Sequence, residues 1–210
     1  MAHDYKIIAV LGDSVADGYY DGCGKGWVGR LEEKLHAVKP CGVGFNNFAV
    51  SGDRICDVWH RLGGMVMKNE AEILLIAVGV NDTYRFGGRD AAPCMSMELR
   101  RHYWHKTLML AKRLIPQIYV FGLLPVNEAK IPARTDDFGT PMFYRNDDIE
   151  AYNGQIESWC KNLGVSFISF HERFKNAGYA ALLDDDVHPD TKGHELISEW
   201  AFEELRDSLL

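Results

Sequence analysis

The sequence predicts an α/β fold in which a five-stranded parallel sheet is covered by helices on both faces. Two observations lead to this prediction. Five short apolar runs lack the polar alternation of half-exposed strands, and segments with helical periodicity lie between them. Strands buried on both faces read as continuous apolar runs, and the alternation of strands with helices is typical of parallel sheets.

The five apolar runs are predicted to be the strands of this sheet. The strongest of them, Glu72–Val80, reads EILLIAVGV. Short runs rich in Ile and Val favour buried strands over helices. The predicted strands are Tyr5–Leu11, Phe45–Val50, Glu72–Val80, Gln117–Leu124 and Val165–Phe170.

Four segments repeat apolar residues every three or four positions, which is the pattern of a helix that buries one face. The predicted helices are Trp27–Val38, Met97–Ile115, Ile149–Leu163 and Asp190–Leu209. The stretch Pro125–Asp148 has no such pattern, and an irregular segment of this length is often functional. It is equally compatible with a lid on the substrate side of the sheet and with a plain surface excursion.

Length and charge limit the classes of function. The 210 residues suit one domain spanning residues 1–210, and 47% apolar with 25% charged residues is ordinary globular composition. A net charge of −7 disfavours nucleic acid and anionic membranes as partners, since both require a basic surface. The expected partner is a small neutral molecule, and nothing in the sequence indicates an oligomeric state.

The sequence favours a cytoplasmic location. Its longest apolar stretches fall short of the roughly 18 residues of a membrane span. The first apolar run ends at Gly12, too early for a secretory signal, so a secreted form would require that a signal had already been removed. Five cysteines without a CxxC spacing are expected to be free thiols rather than disulfides or a zinc site.

Ser14 is the first candidate for chemistry. It follows the first predicted strand at once, in Gly12-Asp13-Ser14. Ligands of parallel α/β sheets bind beyond the carboxyl ends of the strands, where this hydroxyl is expected. Alone, the same serine would also suit a strand-end turn or a helix N-cap.

His188 is the candidate base, because a serine hydroxyl needs a base to accept its proton at neutral pH. The imidazole needs an acceptor that fixes its tautomer. Asp185, three residues earlier, is expected on the same side of a turn, and Asp184 and Asp186 are rivals for this role. The acidic run is also compatible with a mere N-terminal cap of the last helix.

Two further segments offer hydrogen-bond donors for an oxyanion. Asn81, in Gly79-Val80-Asn81-Asp82, follows the strongest strand, and Gly52 follows the preceding one. An amide side chain and a backbone N–H at a strand edge can both stabilise developing negative charge. Each segment alone would also read as an ordinary turn.

Taken together and in this order, the four segments resemble the SGNH hydrolases, also called GDSL-type esterases and lipases. The resemblance extends from Gly12 to the last helix, with Val15 where leucine is usual. It implies a flavodoxin-like three-layer α/β/α fold, Ser14 as nucleophile and His188 with Asp185 as base. It also implies an oxyanion hole formed by the backbone N–H groups of Ser14 and Gly52 and the side chain of Asn81, with no cofactor and no metal.

The function predicted from the sequence is hydrolysis of a carboxylic ester or thioester through an acyl-Ser14 intermediate. One alternative is a non-catalytic flavodoxin-like binding module that keeps the motifs as turns. Another is a metal-dependent hydrolase built on the cluster from Asp184 to His188. The GxGxxG match at Gly24–Gly29 is not expected to bind a dinucleotide, because it does not directly follow a strand.

Overall fold

The computed structural model describes residues 5–136 and 138–210, and its strands form two sheets. Five parallel strands form the main sheet and two short antiparallel strands form the other. The main sheet contains β1 (Lys6–Gly12), β2 (Val43–Asn47), β3 (Ile73–Ala77), β5 (Gln117–Phe121) and β7 (Ser166–Ile168), and the small sheet pairs β4 (Arg85–Phe86) with β6 (Met142–Phe143).

The main sheet confirms the predicted fold class. Its strand order is β2-β1-β3-β5-β7, which is the flavodoxin-like order. In the central pair, Ile8 lies opposite Ile73 and Val10 opposite Leu75. All neighbouring strands are parallel, so their carboxyl ends meet at one edge of the sheet.

Seven α-helices accompany these strands in the described part of the chain. The four predicted helices are confirmed, with ends that differ from the predicted ones by three residues or fewer. The last helix starts after Asp190 because that side chain is its N-cap, accepting a hydrogen bond from the Gly193 N–H at 2.7 Å. The helices are α1 (Ser14–Asp17), α2 (Gly26–Val38), α3 (Ile55–Lys68), α4 (Met97–Leu114), α5 (Asn146–Leu163), α6 (His171–Asn176) and α7 (Thr191–Leu209).

The sequence analysis missed helix α3, although its apolar residues have helical spacing. Its buried residues are Ile55, Val58, Leu62 and Val66. The pair Gly63-Gly64 in its interior costs about 1 kcal/mol of helix propensity per glycine. Packing of the buried stripe against the sheet outweighs that cost, because each fully buried aliphatic side chain contributes about 1.5–3 kcal/mol.

The helices cover the sheet in two layers because alternate strand residues point to opposite faces. In β1, Ala9 and Leu11 face the core beneath α3, α4 and α5, whereas Ile8 and Val10 face the core beneath α2 and α7. Among residues 5–136 and 138–210, no helix combines the length and the apolar character that crossing a membrane requires.

All five predicted strands have somewhat different boundaries in the structure, and the differences at β3 and β2 bear on the site. β3 ends at Ala77 rather than Val80, because Gly79 takes φ 137° and a 3₁₀ turn follows over Val80–Asp82. β2 ends at Asn47, yet the Phe48 N–H still donates to the Val10 carbonyl at 2.8 Å. The chain therefore continues beside β1 toward the edge where Gly52 lies.

The stretch Pro125–Asp148 is mostly irregular, as predicted, and position 137 within it lies outside the described residues. It contains a 3₁₀ turn at Glu128–Lys130 and strand β6, and it ends in the first turn of α5. Pairing of β6 with β4 ties it to the loop that follows β3. It therefore runs along the carboxyl edge of the sheet.

Candidate active site

Ser14 is the first residue of α1 and is separated from the end of β1 by Asp13 alone. The Asp13 side chain caps the helix by accepting from the Val15 N–H at 3.1 Å. The backbone of β3 packs closely against Gly12, because a Cβ at this position would lie only 2.5 Å from the Ala77 carbonyl oxygen. The predicted position of Ser14 at the carboxyl edge is therefore the observed one.

His188 contacts Ser14 across 174 positions of sequence. The distance from Ser14 Oγ to His188 Nε2 is 2.7 Å, and both residues are buried. A loop holds the histidine in place through a hydrogen bond of 2.9 Å from the Asp184 N–H to the His188 carbonyl. The serine hydroxyl can thus donate its proton straight to the imidazole.

Asp185 completes the relay on the far side of the ring. Its Oδ2 lies 2.7 Å from His188 Nδ1, while Oδ1 accepts from the backbone N–H groups of Val187 and His188. Because a carboxylate can only accept, Nδ1 carries the ring proton and Nε2 is left to accept from Ser14. Burial opposes ionisation, but the hydrogen bonds from His188 and Val187 outweigh it and hold the pKa of Asp185 below its ordinary value.

The two rival aspartates lie in other environments. Asp184 is exposed, whereas Asp186 is fully buried and pairs with Arg134 rather than with His188. Of the three acids, Asp185 is therefore the one that contacts the imidazole.

The residues predicted to bind an oxyanion follow three neighbouring strands. Gly52 comes after β2, Ser14 after β1 and Asn81 after β3, and β1 lies between the other two. Within the described chain, the backbone N–H groups of Ser14 and Gly52 donate to no protein acceptor. They remain available to a bound ligand.

Asn81 is oriented by contacts at both ends of its amide. Nδ2 donates one hydrogen to the Asp53 carbonyl at 3.0 Å, and Oδ1 accepts from the Tyr144 hydroxyl at 3.5 Å. An amide nitrogen has two hydrogens, so one N–H stays free to donate. The adjacent Asp82 has a different task, since it accepts from the Ile55 N–H at the start of α3 and from the Tyr152 hydroxyl.

Arg134 is the contact residue that the sequence analysis missed. Its Nη2 donates to Asp185 Oδ2 at 2.7 Å and also contacts Asp186. The guanidinium carbon lies 5.9 Å from the centre of the Tyr144 ring. Arg134 and Tyr144 both belong to the stretch Pro125–Asp148, which therefore contacts the site directly. No sequence pattern marks an arginine 51 positions before its partner.

Two tyrosines cover the exposed side of the histidine. The ring centres of Tyr19 and Tyr20 lie 5.0 and 5.5 Å from that of His188, and both side chains are about half exposed. They belong to the glycine-rich loop before α2. Their rings form an aromatic rim beside His188.

A small apolar cavity of about 40 Å³ lies at the carboxyl edge of the main sheet, next to the ends of β1, β3 and β5. Val15 and Val187, the neighbours of Ser14 and His188, line it together with Leu123 and Leu124 after β5. Asp13 also borders it, and burial raises the pKa of Asp13 to about 7. The cavity is larger than the roughly 10–15 Å³ that one water needs.

The fold and this arrangement define a serine-hydrolase class of protein, and comparison with known proteins identifies the family. Residues 10–196 match the GDSL-like Lipase/Acylhydrolase family. The chain belongs to this family and is an ester hydrolase. The predicted resemblance to SGNH hydrolases is thereby confirmed.

Two sequence relatives cover nearly the whole chain. An acetylxylan esterase of Geobacillus stearothermophilus is 25% identical over 209 residues, covering 93% of this chain and 91% of that protein. The Bacillus subtilis (strain 168) protein YpmR, itself described as uncharacterized, is 20% identical over 229 residues, covering 98% and 85%.

Solved structures share the fold. The acetylxylan esterase Axe2 of Geobacillus stearothermophilus superposes with a TM-score of 0.74 at 20% identity, over 95% of this chain and 93% of that one. The psychrotrophic esterase EstA of a Pseudoalteromonas species, solved with monoethylphosphonate as inhibitor, gives 0.71 at 17% identity, over 97% and 98%. The catalytic mutants of Axe2 replace a serine, an aspartate and a histidine, the last two three positions apart.

Proposed function

We propose that Ser14 is the nucleophile of this hydrolase, with His188 as its general base and Asp185 as the partner of that base. The observation that carries this proposal is the continuous chain of hydrogen bonds through the imidazole. Ser14 Oγ lies 2.7 Å from Nε2, and Asp185 Oδ2 lies 2.7 Å from Nδ1. This is the arrangement of roles that defines a catalytic triad.

In the first half of the reaction, Ser14 Oγ forms a bond to the carbonyl carbon and its proton moves to His188 Nε2. The carbonyl electron pair moves onto oxygen, where the backbone N–H groups of Ser14 and Gly52 and the free N–H of Asn81 donate to it. The intermediate collapses, the carbon–alkoxide bond breaks, and the leaving group takes the proton from Nε2. Water then repeats these steps on the acyl-serine and releases the acid.

The substrate is an ester or thioester of a small neutral molecule with a short acyl group. The apolar cavity of about 40 Å³ is lined by Val15 and Val187, the chain neighbours of Ser14 and His188, and has room for only a few heavy atoms. The aromatic rim of Tyr19 and Tyr20 suits an apolar or sugar face, and the net charge of −7 disfavours an anionic ligand. An acetylated sugar is one such substrate, and the acetylxylan esterase among the relatives supports it.

We also propose a cytoplasmic location. It is supported by the five cysteines, all of which are free thiols, including the exposed Cys23 and Cys41. Exposed free thiols persist in reducing compartments.

The experiment that tests the nucleophile treats the protein and its Ser14→Ala variant with a fluorophosphonate probe and with p-nitrophenyl acetate. The expected result is an adduct on Ser14, located by mass spectrometry, and turnover that the variant lacks while it retains its circular dichroism spectrum. Esters of increasing acyl length are expected to show falling kcat/KM. A folded wild-type protein that neither reacts with the probe nor hydrolyses the ester would contradict the proposal.

A further inference from the structure

The Nε2 atom of His171 is a buried polar atom that the serine site does not use. His171 is the first residue of α6, and 5% of its surface is exposed. Within the described chain, Nε2 makes no hydrogen bond. Buried polar atoms without a partner are rare and call for an explanation.

A hydrogen bond at the other ring nitrogen fixes the tautomer. Nδ1 lies 3.0 Å from the Leu123 carbonyl oxygen. That oxygen can only accept, so Nδ1 carries a proton and Nε2 is the ring nitrogen left to bind a ligand. A ring nitrogen that donates to a backbone carbonyl while its partner presents a lone pair is the usual state of a metal-binding histidine.

Two carboxylates lie close to the His171 ring. Glu150 Oε1 of α5 lies 3.6 Å from Nε2, and one ligand atom each of Glu150, His171 and Glu172 lie within 4.8 Å of one another. Ligand atoms around tetrahedral zinc are separated by about 3.3 Å when each lies about 2.0–2.1 Å from the ion. Because Glu150 and Glu172 are exposed, their side chains are free to make the remaining adjustment.

Lys175 supplies a positive charge at this cluster. Its ammonium contacts Glu150 Oε1 and lies 3.6 Å from Glu172 Oε1. Lys175 therefore balances the carboxylates, but it does not contact the lone pair of His171. A cation that satisfies all three groups would displace it.

We propose that Glu150, His171 and Glu172 form a binding site for a divalent transition-metal ion, preferably zinc, with water as the fourth ligand. Imidazole and carboxylate ligands in a tetrahedral arrangement suit zinc. The ion would join α5 to α6 and to the Leu123 backbone. This site is separate from the Ser14 relay, and its effect is stabilisation, because a metal that binds only the folded chain raises the free energy of unfolding.

The test is isothermal titration of the metal-stripped, full-length protein with zinc chloride, together with its unfolding temperature. One zinc ion per chain is expected, with a rise in that temperature. Glu150→Gln and Glu172→Gln should each weaken affinity by about tenfold or more, since changes even in supporting residues cost 10–100-fold. Lys175→Ala should strengthen it, because no ammonium is displaced.

Glu157→Gln is the matched control, an exposed glutamate two turns further along α5, and should bind like the wild type. The double variant His102→Ala/His105→Ala tests whether zinc binds instead to these two histidines, which lie three positions apart on α4. Loss of binding in this double variant with full binding in Glu172→Gln would overturn the proposal, as would the absence of heat with the wild type. Weaker binding by Lys175→Ala would also contradict it. Because Glu172 is exposed, its replacement is expected to leave the fold intact, so the test does not depend on a variant of the buried His171.

Discussion

Arg134 and His188 share one oxygen atom, since each has a nitrogen 2.7 Å from Oδ2 of Asp185. The arginine also pairs with the fully buried Asp186. A residue of the irregular stretch Pro125–Asp148 thus fixes two acids of the loop that carries the candidate base.

Arg134→Ala is expected to lower stability more than catalysis. It leaves the buried Asp186 carboxylate without its cation, at a cost of about 3 kcal/mol in the free energy of unfolding. Asp185 keeps its backbone hydrogen bonds, so kcat should fall by less than the ~10²-fold effect of losing a general base. Urea unfolding and ester hydrolysis measure the two effects.

A second substitution tests whether the unpaired charge of Asp186 causes the loss of stability. Arg134→Ala combined with Asp186→Asn is expected to recover part of the lost stability, because a neutral amide needs no cation. If the double variant is no more stable than the single one, the charge of Asp186 is not the cause.

Asp185→Asn is expected to reduce kcat by roughly 10⁴-fold. An amide cannot stabilise the imidazolium, and its NH₂ group favours the wrong tautomer of His188. Asp184→Asn is the matched control, since this exposed neighbour makes no side-chain contact with the ring, and it should keep wild-type kcat. Equal losses in both variants would show that the acidic run acts through its overall charge.

Asn81→Ala is expected to reduce kcat about 10²–10³-fold with a smaller change in KM, because an oxyanion donor acts mainly in the transition state. Asn81→Asp should lose activity too, since it replaces the donor with a negative charge. Steady-state kinetics with p-nitrophenyl acetate provide the measurement. Full activity of either variant would remove Asn81 from the proposed oxyanion hole.

Two buried acids are expected to contribute stability that falls with rising pH. Burial raises the pKa of Asp13 from 3.8 to about 7 and the pKa of Asp82 to about 6. Between about pH 4 and pH 7 the folded chain therefore holds protons that the unfolded chain has released. The stability from Asp13 is fully present below its unfolded pKa and is lost as pH rises through about 7.

Asp13→Asn removes this contribution while the amide oxygen can still cap α1. The variant should gain stability relative to the wild type between about pH 5 and about pH 8, as measured by urea unfolding at each pH. Asp17→Asn, an exposed acid on the same helix, should keep the wild-type slope. Parallel profiles for the wild type and Asp13→Asn would show that Asp13 does not titrate in this range.

The sequence predicted those elements whose signal is local. Short apolar runs identified all five strands of the main sheet, and one-face periodicity identified four helices. Strand ends were less accurate, because a glycine such as Gly79 ends a strand through its backbone conformation and not through a change in hydrophobicity. Helix α3 was missed although its apolar spacing was present, since Gly63-Gly64 weakens the local preference.

The sequence by itself determined the fold class, the residues predicted at the site and the edge of the sheet at which they would meet. It could do so because Gly52, Ser14 and Asn81 each follow a strand, and the carboxyl ends of parallel strands meet at one edge of the sheet. Only the tertiary structure decided which of three adjacent aspartates contacts His188 and that Arg134 reaches the same oxygen. Those contacts depend on loop backbone geometry at distances of a few ångströms, which neither periodicity nor composition encodes.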